Sequence, residues 1–325
     1  MTIAVSIKVG EGLVLAADST SSYFSQGTLA QSYHHARKLL QLSDFPIGVL
    51  TYGLGNIAGR NLESLVAEFE REIGRVATSG NYTVQELSQR LHDFILAKYD
   101  HTFPPPALLP GAGHAPAGGA VDAPAPNGPN QDGRGAANPD GASPAGGDGD
   151  AAVPPAPPQP PAADDRPQLG VVVGGYSHDE FFPDEFQFVI PGSPPWEIWP
   201  DVGGKQLYGV RWWGQTAPIE RLYLGCDFNG FVQWFVDNGV PEADAVAYYQ
   251  QLRDRVMWPI IYEGMPIQDA IDLAVYLVNV TIGHSRFAVG PAVCGGPIDV
   301  ATITSAGFRW VKRKDWTVKS DSVFF

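Results

Sequence analysis

Three residues near the start of this 325-residue chain have the types and spacing for amide chemistry: Thr2, Asp18 and Lys38. Removal of Met1, expected before a residue as small as threonine, leaves Thr2 with a hydroxyl and a free α-amine on adjacent carbons. An unperturbed α-amine titrates at about 7.7–8.0, so part of it is neutral near pH 7 and takes the hydroxyl's proton directly or through a water. Nucleophile and base then share one residue. A carboxylate to orient them and a cation to hold the local charge balance complete such a centre, and Asp18 and Lys38 are the candidates.

The surrounding pattern supplies the elements that must position these groups. Ile3, Val5, Ile7 and Val9 alternate with small or polar residues at strand period, Gly10-Glu11-Gly12 turns, and Leu13 to Ala17 returns as a buried strand ending at Asp18. A short antiparallel ribbon brings its two ends together, which puts Asp18 beside Thr2. Residues 38–42 and 47–52 read as a second hairpin, with the Ser/Tyr/Gln-rich stretch 19–35 between the two as a polar loop over a cleft.

Thr2, Ala16-Ala17-Asp18, Lys38-Leu39-Leu40-Gln41-Leu42 and Gly53-Leu54-Gly55 together resemble, in order and nearly in spacing, the proteasome β-subunit family of N-terminal-nucleophile (Ntn) hydrolases, and the chain is similar to bacterial proteasome-related proteins. Leu169 to Tyr176, with its Val-Gly-Gly-Tyr ending, is a second anchor for that resemblance. The resemblance implies an α+β fold, a four-layer αββα sandwich of two antiparallel sheets between helix layers. It also implies a threonine-type peptidase in which Thr2 attacks a peptide carbonyl, Asp18 and Lys38 support it, and the backbone N–H of Gly55 stabilises the oxyanion. Ala36, Leu40 and Ile57 take the positions of the nearest substrate pocket, and no cofactor or metal is implied.

The match departs from the family in the residues around the amine. Cys294-Gly295-Gly296 stands for a Ser-Gly-Gly, the aspartate expected before it falls at Pro291, Gln215 stands for a serine, and Thr20 replaces an arginine. Two other readings therefore stay open: a catalytically inactive proteasome-like scaffold subunit, for which retention of Met1 would suffice, and a small-molecule Ntn amidase. The family also implies a homo-oligomer, as a ring or a helical assembly, with a peptide or protein substrate. The sequence has no Gly-x-x-x-x-Gly-Lys-Ser/Thr loop, so an ATP-dependent unfoldase would be a separate protein.

Helical periodicity predicts one helix over about 57–76 and a second from Thr83, with Glu86 three residues on as a capping-box signature, to about Tyr99. From 104 to 167 the chain is mostly Ala, Gly, Pro and Asp and cannot bury enough apolar surface to offset ordering, so a disordered insertion is expected between an N-terminal half, 1–103, and a C-terminal half, 168–325. Helical pieces over 219–264, a helix from Met265-Pro266 to about His284, and strands near 186–190, 196–199, 208–215, 297–304 and 308–311 complete the reading. The aromatic stretch Phe231 to Val236 is expected to serve as core or subunit interface, and residues 312–325 as a tail that docks a neighbour or stays loose.

A net charge of −14 and the lack of a basic stripe disfavour nucleic acid and anionic membranes as partners. The two cysteines have neither disulfide-framework nor zinc spacing, and the histidines form no ligand motif. No long apolar run or signal-peptide pattern is present, so a cytoplasmic location is expected.

Overall fold

The computed structural model describes residues 2–25, 28–43, 45–74, 81–105, 166–199, 208–257, 260–262 and 264–315. Most of the expected insertion, residues 106–165, lies outside these, as do Met1 and residues 316–325.

The first hairpin forms as its alternation predicts: β1 (Ile3–Val9) and β2 (Gly12–Ala17) pair antiparallel, with Ala4 opposite Ala17 and Val9 opposite Gly12. Residues 19–35, expected as a polar loop, instead carry a small hairpin of their own, β3 (Ser21–Ser25) and β4 (Thr28–Tyr33). Its Ser, Thr and Tyr content suits a ladder with little apolar burial on either face, which is why hydrophobic alternation gave no sign of it. β5 (Leu39–Leu42) and β6 (Ile47–Gly53) form the second hairpin.

The helix expected from residue 57 starts later. A two-residue ladder, β7 (Asn56–Ile57) and β8 (Arg60–Asn61), precedes α1 (Leu62–Ile73), and the Asn61 side chain caps the helix by accepting from the Ser64 N–H at 2.9 Å. Ile57 has apolar spacing compatible with that helix, but Gly59 and the Asn61 cap set the boundary after it. α2 (Val84–Thr102) starts where predicted, with Thr83 Oγ1 accepting from Glu86 N at 3.0 Å. The Glu86 carboxylate is paired along the helix with Arg90.

β9 (Leu169–Gly175), β10 (Asp184–Ile190) and β11 (Trp196–Glu197) extend the second hairpin into a five-stranded antiparallel sheet of order β11-β10-β9-β6-β5. β12 (Gly209–Gly214) joins the first hairpin. After α3 (Ala217–Leu224), α4 (Phe228–Asp237), α5 (Glu242–Val256) and α6 (Ile267–Phe287), β13 (Asp299–Thr304) and β14 (Gly307–Lys312) complete the other sheet, of order β12-β1-β2-β13-β14. The fold is α+β with antiparallel sheets.

The alternation of each strand decides which core its side chains enter. Ile3, Val5 and Ile7 of β1 pack with Ala270, Ala274, Leu277 and Val278 of α6. On its opposite side Ala4 joins Leu13, Leu15 and Ile303, which meet Leu39, Leu50 and Val172 of the other sheet. That second sheet in turn packs Val49, Val171 and Phe188 against Leu65 and Phe69 of α1 and Leu87, Leu91 and Ile95 of α2. Burying a side chain of this size contributes roughly 1.5–3 kcal/mol, so a one-residue slip of β1 would exchange two apolar environments at once.

The aromatic stretch in α4 is divided. Val232 packs with Ala245 and Tyr249 in a small satellite core beside Phe231 and Phe235, whereas Trp234 is 61% exposed. Among the described residues, no helix is long and apolar enough to cross a membrane.

Candidate functional site

The site is built where the first hairpin closes. Asp18 follows β2 and is fully buried. Its N–H donates to Ile3 O at 3.1 Å, and the Ile3 N–H returns to Asp18 Oδ1 at 3.0 Å. Oδ2 accepts from Thr20 N at 3.1 Å and from Gly295 N at 3.0 Å. Lys38 Nζ donates to Oδ1 at 2.6 Å. Three backbone donors and one ammonium thus converge on one carboxylate, as a buried charge requires.

Thr2 lies one residue before Ile3 and is 4% exposed. The Gln215 N–H donates to its carbonyl oxygen at 2.7 Å. Gly214, with φ +91°, ends β12 against the same residue, and a Cβ there would lie 2.0 Å from the Thr2 oxygen. This approach requires glycine both for its backbone angle and for its missing side chain.

Lys38, 7% exposed, precedes β5, and its carbonyl accepts the Thr51 N–H at 2.8 Å. Burial lowers its pKa, opposed chiefly by the charge and hydrogen bond of Asp18. The pair is dry enough that Lys38 sits closer to neutrality than a surface lysine does.

A cleft of about 870 Å³ opens over these residues, lined by Thr2, Thr20, Ala36, Lys38, Thr51 and Gly55 among others. Gly53, with φ +84° and no room for a Cβ against Gln168 O, turns the chain out of β6, and the Leu54 N–H is tied to that same oxygen at 2.8 Å. Gly55 is exposed at the cleft wall. Of the three expected pocket residues, Ala36 faces the cleft, while Leu40 and Ile57 are packed in the core beneath α1 and α2. The rim is polar, with the Thr20 hydroxyl 3.0 Å from His34 Nδ1, Arg37 paired to Glu63, and Arg60 to Glu68.

The sequence pointed to the Cys294-Gly295-Gly296 turn but not to its bond with Asp18, and it gave no sign of Lys314. Gly295 belongs to the Cys-Gly-Gly turn, but its N–H on Asp18 crosses 277 positions and leaves no local signal. Cys294, 3% exposed, has its thiol pushed up to about 12, by burial first and then by Asp18, with Lys38 opposing. Lys314, beyond β14, reaches the residue next to Asp18, with Nζ 2.7 Å from Ser19 Oγ. Among the described residues, no group of three or more His, Cys, Asp or Glu side chains is placed to hold a metal ion.

No protein-family model matches the chain, and no curated protein matches it. Among solved structures it is similar to the Gly-1 mutant of Anbu from Hyphomicrobium sp. strain MC1, at 13% identity and a TM-score of 0.46, covering 99% of this chain and 89% of that one. A likeness of that size assigns neither family nor activity.

Proposed function

We propose that the chain is a threonine peptidase of the Ntn-hydrolase type, acting through Thr2 after removal of Met1. The observation that carries this reading is the fully buried Asp18, which takes the Lys38 ammonium at 2.6 Å and three backbone N–H groups, one of them from Ile3, the residue after Thr2. In this reading the three apolar cores are the seams of a four-layer αββα sandwich, and the cleft is where a peptide lies extended.

The neutral Thr2 amine takes the Oγ proton as Oγ bonds to the scissile carbonyl carbon and the carbonyl π electrons move to oxygen. Gly55 N–H donates to that oxyanion, a contribution of about 3 kcal/mol where such a donor is well aimed. Collapse expels the leaving amine, which takes the proton back from the Thr2 ammonium and leaves an ester on Oγ. Water then hydrolyses the ester with the same amine as base. Positive charge on Lys38 disfavours a second ammonium nearby and so favours the neutral amine, while Asp18 holds the lysine in place.

The reading extends to assembly: copies of the chain enclose the Thr2 clefts in a ring or helical homo-oligomer, and any ATP-driven unfoldase is a separate partner. One observation favours an inactive scaffold instead. The residue at the head of the Cys-Gly-Gly turn offers a thiol, a weak donor, and burial holds it protonated.

Intact mass and N-terminal sequencing, before and after an electrophile that modifies N-terminal threonines, test the proposal. The expected result is a chain starting at Thr2 that gains one adduct, absent in Thr2→Ala. A purified chain that retains Met1 overturns catalysis in favour of the scaffold.

A further inference from the structure

Lys314 is an unusual cation. Its side chain is 6% exposed, beside an equally hidden Asp299 that accepts from both its backbone N–H, at 2.9 Å, and its ammonium. Burying an ammonium costs several kcal/mol even after relaxation, and the Asp299 carboxylate alone would answer its charge. The ammonium nevertheless makes a second donation, at 2.7 Å, to Ser19 Oγ, which itself donates to the Pro297 carbonyl oxygen.

Ser19, just after β2, is bonded to three other segments around the site. Its N–H donates to Gly295 O at 3.0 Å, and its carbonyl accepts the Ala36 N–H at 2.9 Å. Gly295 is the residue whose own N–H reaches Asp18 Oδ2, and Ala36 leads into Lys38 and the cleft wall. Asp299, opposite Ala17 in the β13–β2 ladder, anchors the assembly to the strand that ends at Asp18. The charge of Lys314 is also felt at Lys38, whose surroundings bring together Asp18, Cys294 and Lys314 from three separate segments.

We propose that Lys314 is a positioning residue for the Thr2 site: by fixing Ser19 it holds the Gly295 N–H on Asp18, and so holds Asp18 against Lys38. It touches no reacting atom. The role in turnover rests on the peptidase reading, whereas the role in holding Gly295 on Asp18 does not.

The test compares the full-length wild type with Lys314→Met, Lys314→Arg and Ser19→Ala. Two quantities are measured: hydrogen exchange of the Gly295 amide against that of Val14 in the β2 core, and the rate of Thr2 adduct formation with a threonine-directed electrophile. Lys314→Met and Ser19→Ala are expected to speed Gly295 exchange about tenfold or more while Val14 is unchanged, and to slow adduct formation by a similar factor, since small misplacements at a reacting centre are costly. Lys314→Arg is expected to restore both. Loss of overall stability alone would move Val14 and Gly295 together.

Gly295 exchange that stays at the wild-type rate, or rises only in step with Val14, overturns the proposal. Ser19→Ala keeps the Lys314–Asp299 pair and decides the matter if Lys314→Met fails to fold. A wild type that forms no Thr2 adduct overturns the peptidase reading, and the exchange comparison then still decides the role of Lys314.

Discussion

The N–H of Gly295 lies 3.0 Å from Oδ2 of Asp18, joining the end of the second strand to a turn 277 residues later. Through it the first hairpin and the turn that leads into β13 share one carboxylate. The candidate site therefore depends on the chain being folded from both ends.

Asp18→Asn is expected to cost more than its small change in shape suggests. It leaves the Lys38 ammonium without its counter-charge at a site where the carboxylate is fully buried, and breaking such a pair costs about 3–5 kcal/mol. Urea unfolding checks this. The double variant with Lys38→Met should be less destabilised than Asp18→Asn alone, because the orphaned charge is gone.

Stability should depend on Lys38 in a defined alkaline window. Its folded pKa lies below the ordinary 10.5, so between those two values the unfolded chain binds more protons than the folded one. The stability of wild type relative to Lys38→Met should rise with pH across that window and level off above 10.5. Unfolding free energies of both proteins measured from neutral to strongly alkaline pH test the sign, and a difference that shrinks with rising pH contradicts it.

Gly214→Ala should disturb Thr2 specifically. The new Cβ meets the Thr2 carbonyl oxygen at 2.0 Å, and the +91° φ is itself unfavourable for alanine, a strain of about 1–3 kcal/mol before the clash is counted. Threonine-directed labelling should be lost, with a lowered Tm. Labelling at the wild-type rate would mean that Thr2 is not held by β12.

The two thiols should separate cleanly. At mildly alkaline pH the partly exposed Cys226 reacts with a chromogenic disulfide, although burial and the neighbouring carboxylates raise its thiol too, whereas Cys294, buried and held near 12, reacts only on unfolding. One fast equivalent is expected in wild type and none in Cys226→Ser. Two fast equivalents would place Cys294 in contact with solvent.

Asp227→Ala should affect stability without affecting the site. Its side chain caps α4 by accepting from Gly230 N at 2.9 Å, and loss of such a cap costs about 1 kcal/mol. Calorimetry should show the lower Tm, while Thr2 labelling remains at the wild-type rate.

What the sequence alone determined was local. The alternation from Ile3 to Val9 and the following glycine turn specify a hairpin whose ends must meet, so Asp18 could be placed beside the chain's start. Thr83 with Glu86 marks a helix start because the bond it makes, to an amide three residues on, is encoded within one turn. Tertiary structure decided the rest. Leu40 and Ile57 have the apolar character of pocket residues, but strand alternation and packing turn them into the core under α1 and α2, away from the cleft. Residues 21–33 form a hairpin that their polar composition conceals. Gly295 and Lys314 reach Asp18 and Ser19 only after β13 has paired with β2 on one side and β14 on the other, because hydrogen bonds spanning hundreds of residues follow from the pairing of strands distant in the chain and have no counterpart in the spacing of neighbours along it.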